Sequence, residues 1–151
     1  MTSITGMLSW FVCAFECPQL ILDFSNPDVL TYIKNTLHTL FSSANITYVK
    51  WDMNRNISDV YSSYLDVESQ GKFHHLFILG LYDILDYLVS EFPNILFESC
   101  SSGGNRFDVG MLYYMPQTWT SDNTDAYERT LIQEGTSYFY PLSSISNHVS
   151  G

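Results

Sequence analysis

The chain has 151 residues, enough for one domain with a real core, and its 46% hydrophobic and 15% charged content is that of a globular protein. Six Lys and Arg against sixteen Asp and Glu give a formal net charge of −10. That balance argues against nucleic acid or an anionic membrane surface as partner, since both need clustered cations; the 16% aromatic content suits a neutral polar substrate such as a sugar.

In chain order, Met7–Phe15 ("MLSWFVCAF") is apolar but too short to span a bilayer. No Lys or Arg precedes it, which makes it a poor signal peptide. Cys13, Cys17 and Cys100 show neither disulfide-framework nor zinc spacing and read as ordinary thiols. The expectation from these features is a cytoplasmic protein, with secretion as the other option. Asn45-Ile46-Thr47 and Asn56-Ile57-Ser58 match the N-glycosylation pattern, which arises often by chance.

From Gln19 onward strands and helices alternate. "QLILDF" (19–24) predicts a buried strand, and Asn26-Pro27-Asp28 supplies a cap and a proline for a helix start. Val29, Ile33, Leu37 and Phe41 recur every four residues, predicting a helix over 28–42. "ITYVKWD" (46–52) is the next strand, followed by a long polar loop through Tyr61, Ser62, Ser63 and Tyr64. Phe73, Phe77, Leu81, Leu85 and Val89 mark a helix over about 71–91. "ILFESC" (95–100) is a strand with Gly103 and Gly104 in the loop beyond it. "PQTWTSD" (116–122) is a further strand, 124–135 a helix stopped by Gly135, and "TSYFYP" (136–141) a fifth strand. This alternation is the signature of parallel α/β construction. Periodicity alone leaves a β/α barrel and an open doubly wound sheet as alternatives; both gather function at the strand ends.

Polar groups concentrate at those ends. Lys50 and Asp52 are two apart and share one side of their strand, as do Glu98 and Cys100, and Trp119 and Ser121; Asp122 sits at the last strand's mouth. Two aspartates on different strand ends, amid aromatics and hydroxyls, are what glycoside hydrolysis needs. One attacks the anomeric carbon and the other protonates the leaving oxygen. Trp51 and Trp119 read either as sugar platforms or as core. Asp122 reads either as a site residue or as a helix cap, and Glu98 as a site residue or a structural ion partner.

The stretches "KWDMNR" (50–55), "ESCSSGGNRFDVGMLYYMPQTWTSDNTDA" (98–126) and "HVS" (148–150), with "LDFSNPDV" (22–29) and "LGLY" (79–82), together resemble glycoside hydrolase family 36, the bacterial and fungal α-galactosidases. The resemblance implies an α/β fold, a partial (β/α)8 barrel of roughly strands three to seven over 19–151, with 1–18 a divergent N-terminal segment. It also implies retaining hydrolysis of terminal α-galactosides of the melibiose and raffinose type. On the matching positions, Asp52 is implied as nucleophile and Asp122 as acid/base, with Lys50, Asn54, Cys100, Gly103 and Trp119 lining the galactose site. No metal or organic cofactor is implied; the expected partner is an α-galactoside oligosaccharide, and full-length relatives are expected to be homo-oligomers.

Three positions depart from the family pattern: Asn105 where glycine is common, Val109 where proline is common, and Asn123 in place of an aspartate. The resemblance also implies that early barrel strands carrying further galactose contacts lie outside this sequence. Five strands do not close an eight-stranded barrel, so the isolated chain is expected to expose apolar edges. The alternatives are an inactive truncated remnant, or a related α-N-acetylgalactosaminidase or galactosyl transferase.

Overall fold

The structure, a computed structural model, describes residues 21–146 apart from 56, 58, 59 and 105. The apolar segment Met7–Phe15, Cys13, Cys17, the boundary at residue 18, Asn56 and His148 lie outside the described residues. Two compact units contain, among the described residues, 21–45 with 55–92 and 46–54 with 93–146.

The first unit is a helix pair. Helix α1 (Pro27–Ser42) starts where Asn26 accepts a hydrogen bond from the Asp28 amide, with proline in the first turn, where its missing N–H costs nothing. Helix α2 (Phe73–Glu91) follows a 3-10 turn, Val67–Lys72, capped by Asp66. The four-residue stripes do the packing: Val29 and Phe41 of α1 are buried, as are Phe73, Phe77, Leu81 and Leu85 of α2. Gly80 is required by close approach, because a Cβ there would lie 2.0 Å from the Phe24 carbonyl oxygen. The polar loop between the units' segments is ordered by two side chains. Asp23, only 4% exposed, accepts from Ser25 and Ser62. Gln70 accepts from the Ser62 amide at 3.0 Å and donates to the Ser62 and Leu65 carbonyls at 2.8 Å.

The second unit is built on a parallel sheet. Strands β1 (Tyr48–Asp52), β2 (Leu96–Cys100) and β3 (Gln117–Thr118) pair in chain order. The register sets Lys50 beside Glu98, Asp52 beside Cys100, and Ser99 beside Thr118. Phe97, Glu98, Ser99 and Cys100 are all buried, as a central parallel strand requires. Helix α3 (Val109–Tyr114) is capped by Asp108, and α4 (Ala126–Ser137) by Asp125. Parallel strands in sequential order, with helices between them along the chain, are the topology of a partial β/α barrel.

Several elements differ from the sequence expectation. Of the strand expected at 19–24, Leu22 makes a single β-bridge, Asp23 leaves the bridge and Phe24 begins a turn; Gln19 and Leu20 lie outside the described residues. The strand expected at 116–122 shortens to Gln117–Thr118, because Thr120 and Ser121 turn to meet the 101–104 loop instead of the ladder. Segment 136–141 is not a strand. Gly135 has open space around it and continues α4 to Ser137, and the Phe139 and Tyr140 amides fold back onto the Thr136 carbonyl. The next parallel pairing comes later: Ile145 bridges Thr118, and the Ser146 amide donates to the Thr118 carbonyl. The aromatic run carried β propensity, but propensity yields to tertiary context.

Candidate active site

All seven residues singled out in the sequence lie in the second unit, at or just beyond the carboxyl ends of β1, β2 and β3. Asp52 is the last residue of β1. Its carboxylate accepts a 2.8 Å hydrogen bond from Asn54, two residues later. Partial burial works to raise the Asp52 carboxyl, but hydrogen bonds from Asn54, Cys100 and the Met53 amide, with the charge of Lys50, outweigh it. The carboxyl is therefore held below its usual range and stays ionised.

Cys100 is the cross-strand neighbour of Asp52 and is buried. Burial raises its thiol, and the adjacent Asp52 adds to that against a hydrogen bond from the Gly103 backbone. It is a neutral S–H donor toward a carboxylate, not a thiolate.

Asn54 also closes the loop beyond β2. Its Oδ1 accepts from the Ser102 amide at 2.7 Å and from the Ser102 hydroxyl at 3.1 Å. Ser102 and Gly103 have φ of 49° and 95°, so the loop makes a left-handed turn there. Gly103 is fixed as glycine by this geometry, since a Cβ would meet the Ser121 Cα at 2.7 Å. The loop end of β2 and the loop end of β3 touch backbone to backbone at that point.

Lys50 is oriented from two sides. Its ammonium lies 3.7 Å from the Glu98 carboxylate and 4.2 Å from the centre of the Trp119 ring. Glu98 is 3% exposed and Lys50 40%, so a buried anion anchors a cation whose tip still reaches the open side. Glu98 also accepts from the Tyr48 hydroxyl; burial first, then this carboxylate, pushes Tyr48 above its ordinary range. Glu98 is thus an ion-pair partner within the sheet.

Trp119 carries the geometry from Lys50 to Asp122. Its indole N–H donates to Asp122 Oδ1 at 2.8 Å, and the Arg129 guanidinium lies 4.9 Å from the centre of its ring. A tryptophan ring within about 6 Å of two cations is held by cation–π attraction to both. Asp122 is not the helix cap: Asp125 performs that task, accepting from the Tyr127 and Glu128 amides at 3.0 Å. The aspartate left uncommitted by the fold is the one bonded to Trp119.

Sequence reasoning missed two cations. Arg129, on α4, is 1% exposed and donates to the Ser121 carbonyl at 2.9 Å and the Ser146 carbonyl at 3.3 Å. Arg106, in the loop beyond β2, donates through Nη2 to the Trp51 and Cys100 carbonyls at 3.0 and 2.9 Å. The available signal was scarcity. With six Lys and Arg in the whole chain, each placement is a commitment. Among the described residues no group of three His, Cys, Asp or Glu side chains is arranged to hold a metal ion.

Comparison with known proteins decides the lineage. Residues 14–151 match the melibiase family. The chain belongs to that family. It is 58% identical over 132 residues to α-galactosidase AgaA of Geobacillus stearothermophilus, covering 87% of this chain and 18% of that protein. The crystal structure of AgaA, a GH36 α-galactosidase, superposes with a TM-score of 0.86 at 53% identity, over 93% of this chain and 20% of that one. An α-galactosidase from Lactobacillus brevis superposes at 0.90 with 45% identity, over 98% and 20%. An AgaA variant has been crystallised with raffinose, and another with stachyose. The chain therefore spans about a fifth of the length of these melibiase-family relatives. The family assignment and the parallel topology agree on a partial barrel.

Proposed function

We propose that this chain carries the catalytic edge of a retaining α-galactosidase, with Asp52 as nucleophile and Asp122 as acid/base. The observation that carries the reading is the pairing of environments. Asp52 is held ionised by three hydrogen-bond donors and Lys50, while Asp122 meets the same assembly, among the described residues, through the Trp119 indole N–H. An ionised carboxylate attacks the anomeric carbon to form a galactosyl ester. The second carboxyl protonates the departing glycosidic oxygen, then takes a proton from the water that cleaves the ester. The names of the relatives support galactose as the sugar, and the AgaA complexes support raffinose-type oligosaccharides as substrates.

In this reading Lys50 and Asn54 donate to substrate hydroxyls or hold the nucleophile, and Cys100 donates to it from the neighbouring strand. Trp119 offers an apolar edge beside the ring, and Gly103 lets the loop backbone come close. No helix among the described residues is long and apolar enough to cross a membrane.

The test is hydrolysis of an aryl α-galactoside by the purified chain, with Asp52→Ala as control. Turnover should vanish in the variant. Added azide should restore it with a β-configured galactosyl azide as product, since azide then occupies the face the carboxylate left. Retention of ordinary turnover by Asp52→Ala overturns the assignment, and an inactive parent chain favours the truncated-remnant alternative.

A further inference from the structure

We infer that Arg106 is a positioning residue for Asp52: its guanidinium ties the ends of β1 and β2 together on both sides of that carboxylate, and its unneutralised positive charge favours the carboxylate's ionised form. The inference deepens the galactosidase reading and, for its catalytic meaning, rests on it.

The geometry is specific. The Trp51 carbonyl that accepts from Arg106 Nη2 at 3.0 Å belongs to the peptide bond leading into Asp52. The Cys100 carbonyl, 2.9 Å from the same nitrogen, also accepts from the amide of Met53, the residue after Asp52, at 3.0 Å. One nitrogen therefore grips the peptide before the carboxylate and shares an acceptor with the peptide after it. A carbonyl oxygen has two lone pairs, so a side-chain donor can add to a ladder bond already made there, and one nitrogen bonded to both carbonyls links the two strand ends.

The charge of Arg106 is unspent. Carbonyls satisfy its donors but do not neutralise it. Among the described residues it makes no ion pair, and its Nε is buried without a hydrogen-bond partner. A half-buried cation left this way acts on the nearest anion. Burial lowers the Arg106 guanidinium from its usual range, and Asp52 is first among the charges that oppose this, ahead of Cys100 and Asp108. The other groups around Asp52 are Lys50 on its own strand, Asn54 and the Met53 amide just beyond it, and Cys100 on β2. Of the nearby acids, Glu98 pairs with Lys50, and Asp122 accepts from the Trp119 indole.

The consequence falls on the second half of the reaction. When water attacks the galactosyl ester, the bond between the anomeric carbon and Asp52 breaks and its electron pair returns to the carboxylate, while the water proton passes to Asp122. A fixed, unneutralised cation favours that returning charge. Lys50 alone is partly committed to Glu98; Arg106 is not.

The test reads the titration of the Asp52 carboxyl by NMR in the aspartate-labelled chain, for the parent, Arg106→Lys and Arg106→Gln. Lysine and glutamine both keep a donor for the carbonyls, but only lysine keeps the charge. Parent and Arg106→Lys should titrate together, and Arg106→Gln at a higher pH than both. Coincidence of Arg106→Gln with the parent overturns the inference, as does an Arg106→Lys titration that moves as far as the glutamine variant. A measurement on the parent alone guards against a variant that does not fold. The Arg106 Nε resonance should inflect at the Asp52 midpoint and lose that inflection in Asp52→Asn; a flat trace overturns the inference. Neither readout uses turnover. An inactive chain with the expected titrations sinks the galactosidase reading and leaves the clamp standing, and an active chain with unmoved titrations does the reverse.

Discussion

The helix pair and the strand-end edge are organised by opposite economies of contact. In α1 and α2 the interior is apolar and redundant: Phe77, Leu81, Ile84, Leu85 and Leu88 are each 2% exposed or less. At the ends of β1, β2 and β3 polar side chains converge, and each has one or two named partners. Asn54 holds Asp52, Glu98 and Trp119 hold Lys50, and Arg106 holds the strand ends. Burial stabilises the first region by area, so its loss is felt as stability. The second is stabilised by directed bonds between groups that could instead be hydrated, each worth little net, so its loss is felt as chemistry. Scaffold and site are separated by the kind of interaction as much as by place.

That contrast can be broken by substitution. The largest effect should come from Phe77→Ala, which empties an interior position shared with Phe24 and Phe73 and should cost about 3–5 kcal/mol in urea unfolding. A cost below about 1 kcal/mol would mean the helix pair is not the packed core described. A smaller and sharper test is the pair Asp125→Ala and Asp122→Ala. Loss of the α4 cap should cost about 1 kcal/mol, whereas loss of Asp122 should stay within about 0.5 kcal/mol. Equal costs would make Asp122 part of the scaffold and blur the division.

The smallest effect concerns pH. Asp52 is held below its ordinary value, so its share of folding stability is present above the unfolded aspartate value, about pH 3.9, and is lost as pH falls through the folded value. The stability difference between parent and Asp52→Asn, followed by unfolding from pH 6 downward to about pH 2, should close below about pH 4. A difference that widens in acid would mean that burial, not the donors, governs this carboxyl.

The helices were legible because their signal is periodic. Four-residue apolar stripes and an Asn-Pro start place α1 within one residue of its expected beginning, and Pro93 ends α2 where expected. The strands β1 and β2 were legible as compact apolar runs. The aromatic run at 136–141 misled because its composition favours strand while its neighbours complete a helix turn there. The site was legible in part. The i, i+2 spacing put Lys50 with Asp52 and Glu98 with Cys100 on common sides, and the register then set the two pairs side by side.

By itself the sequence determined the α/β class, the strand-end placement of Asp52, and, through its long motifs, the family. These rest on information carried by neighbours in the chain: side-chain period, caps and fixed spacing. Tertiary structure alone decided which aspartate caps α4, that Gly103 must pass the Ser121 backbone, and that Arg106 and Arg129 turn inward. Those outcomes depend on carbonyls and rings brought together from residues 51, 100, 119, 121 and 146, which no local period encodes. A charge in a polar stretch looks the same whether it faces water or a strand end; only the folded chain supplies the acceptors that choose.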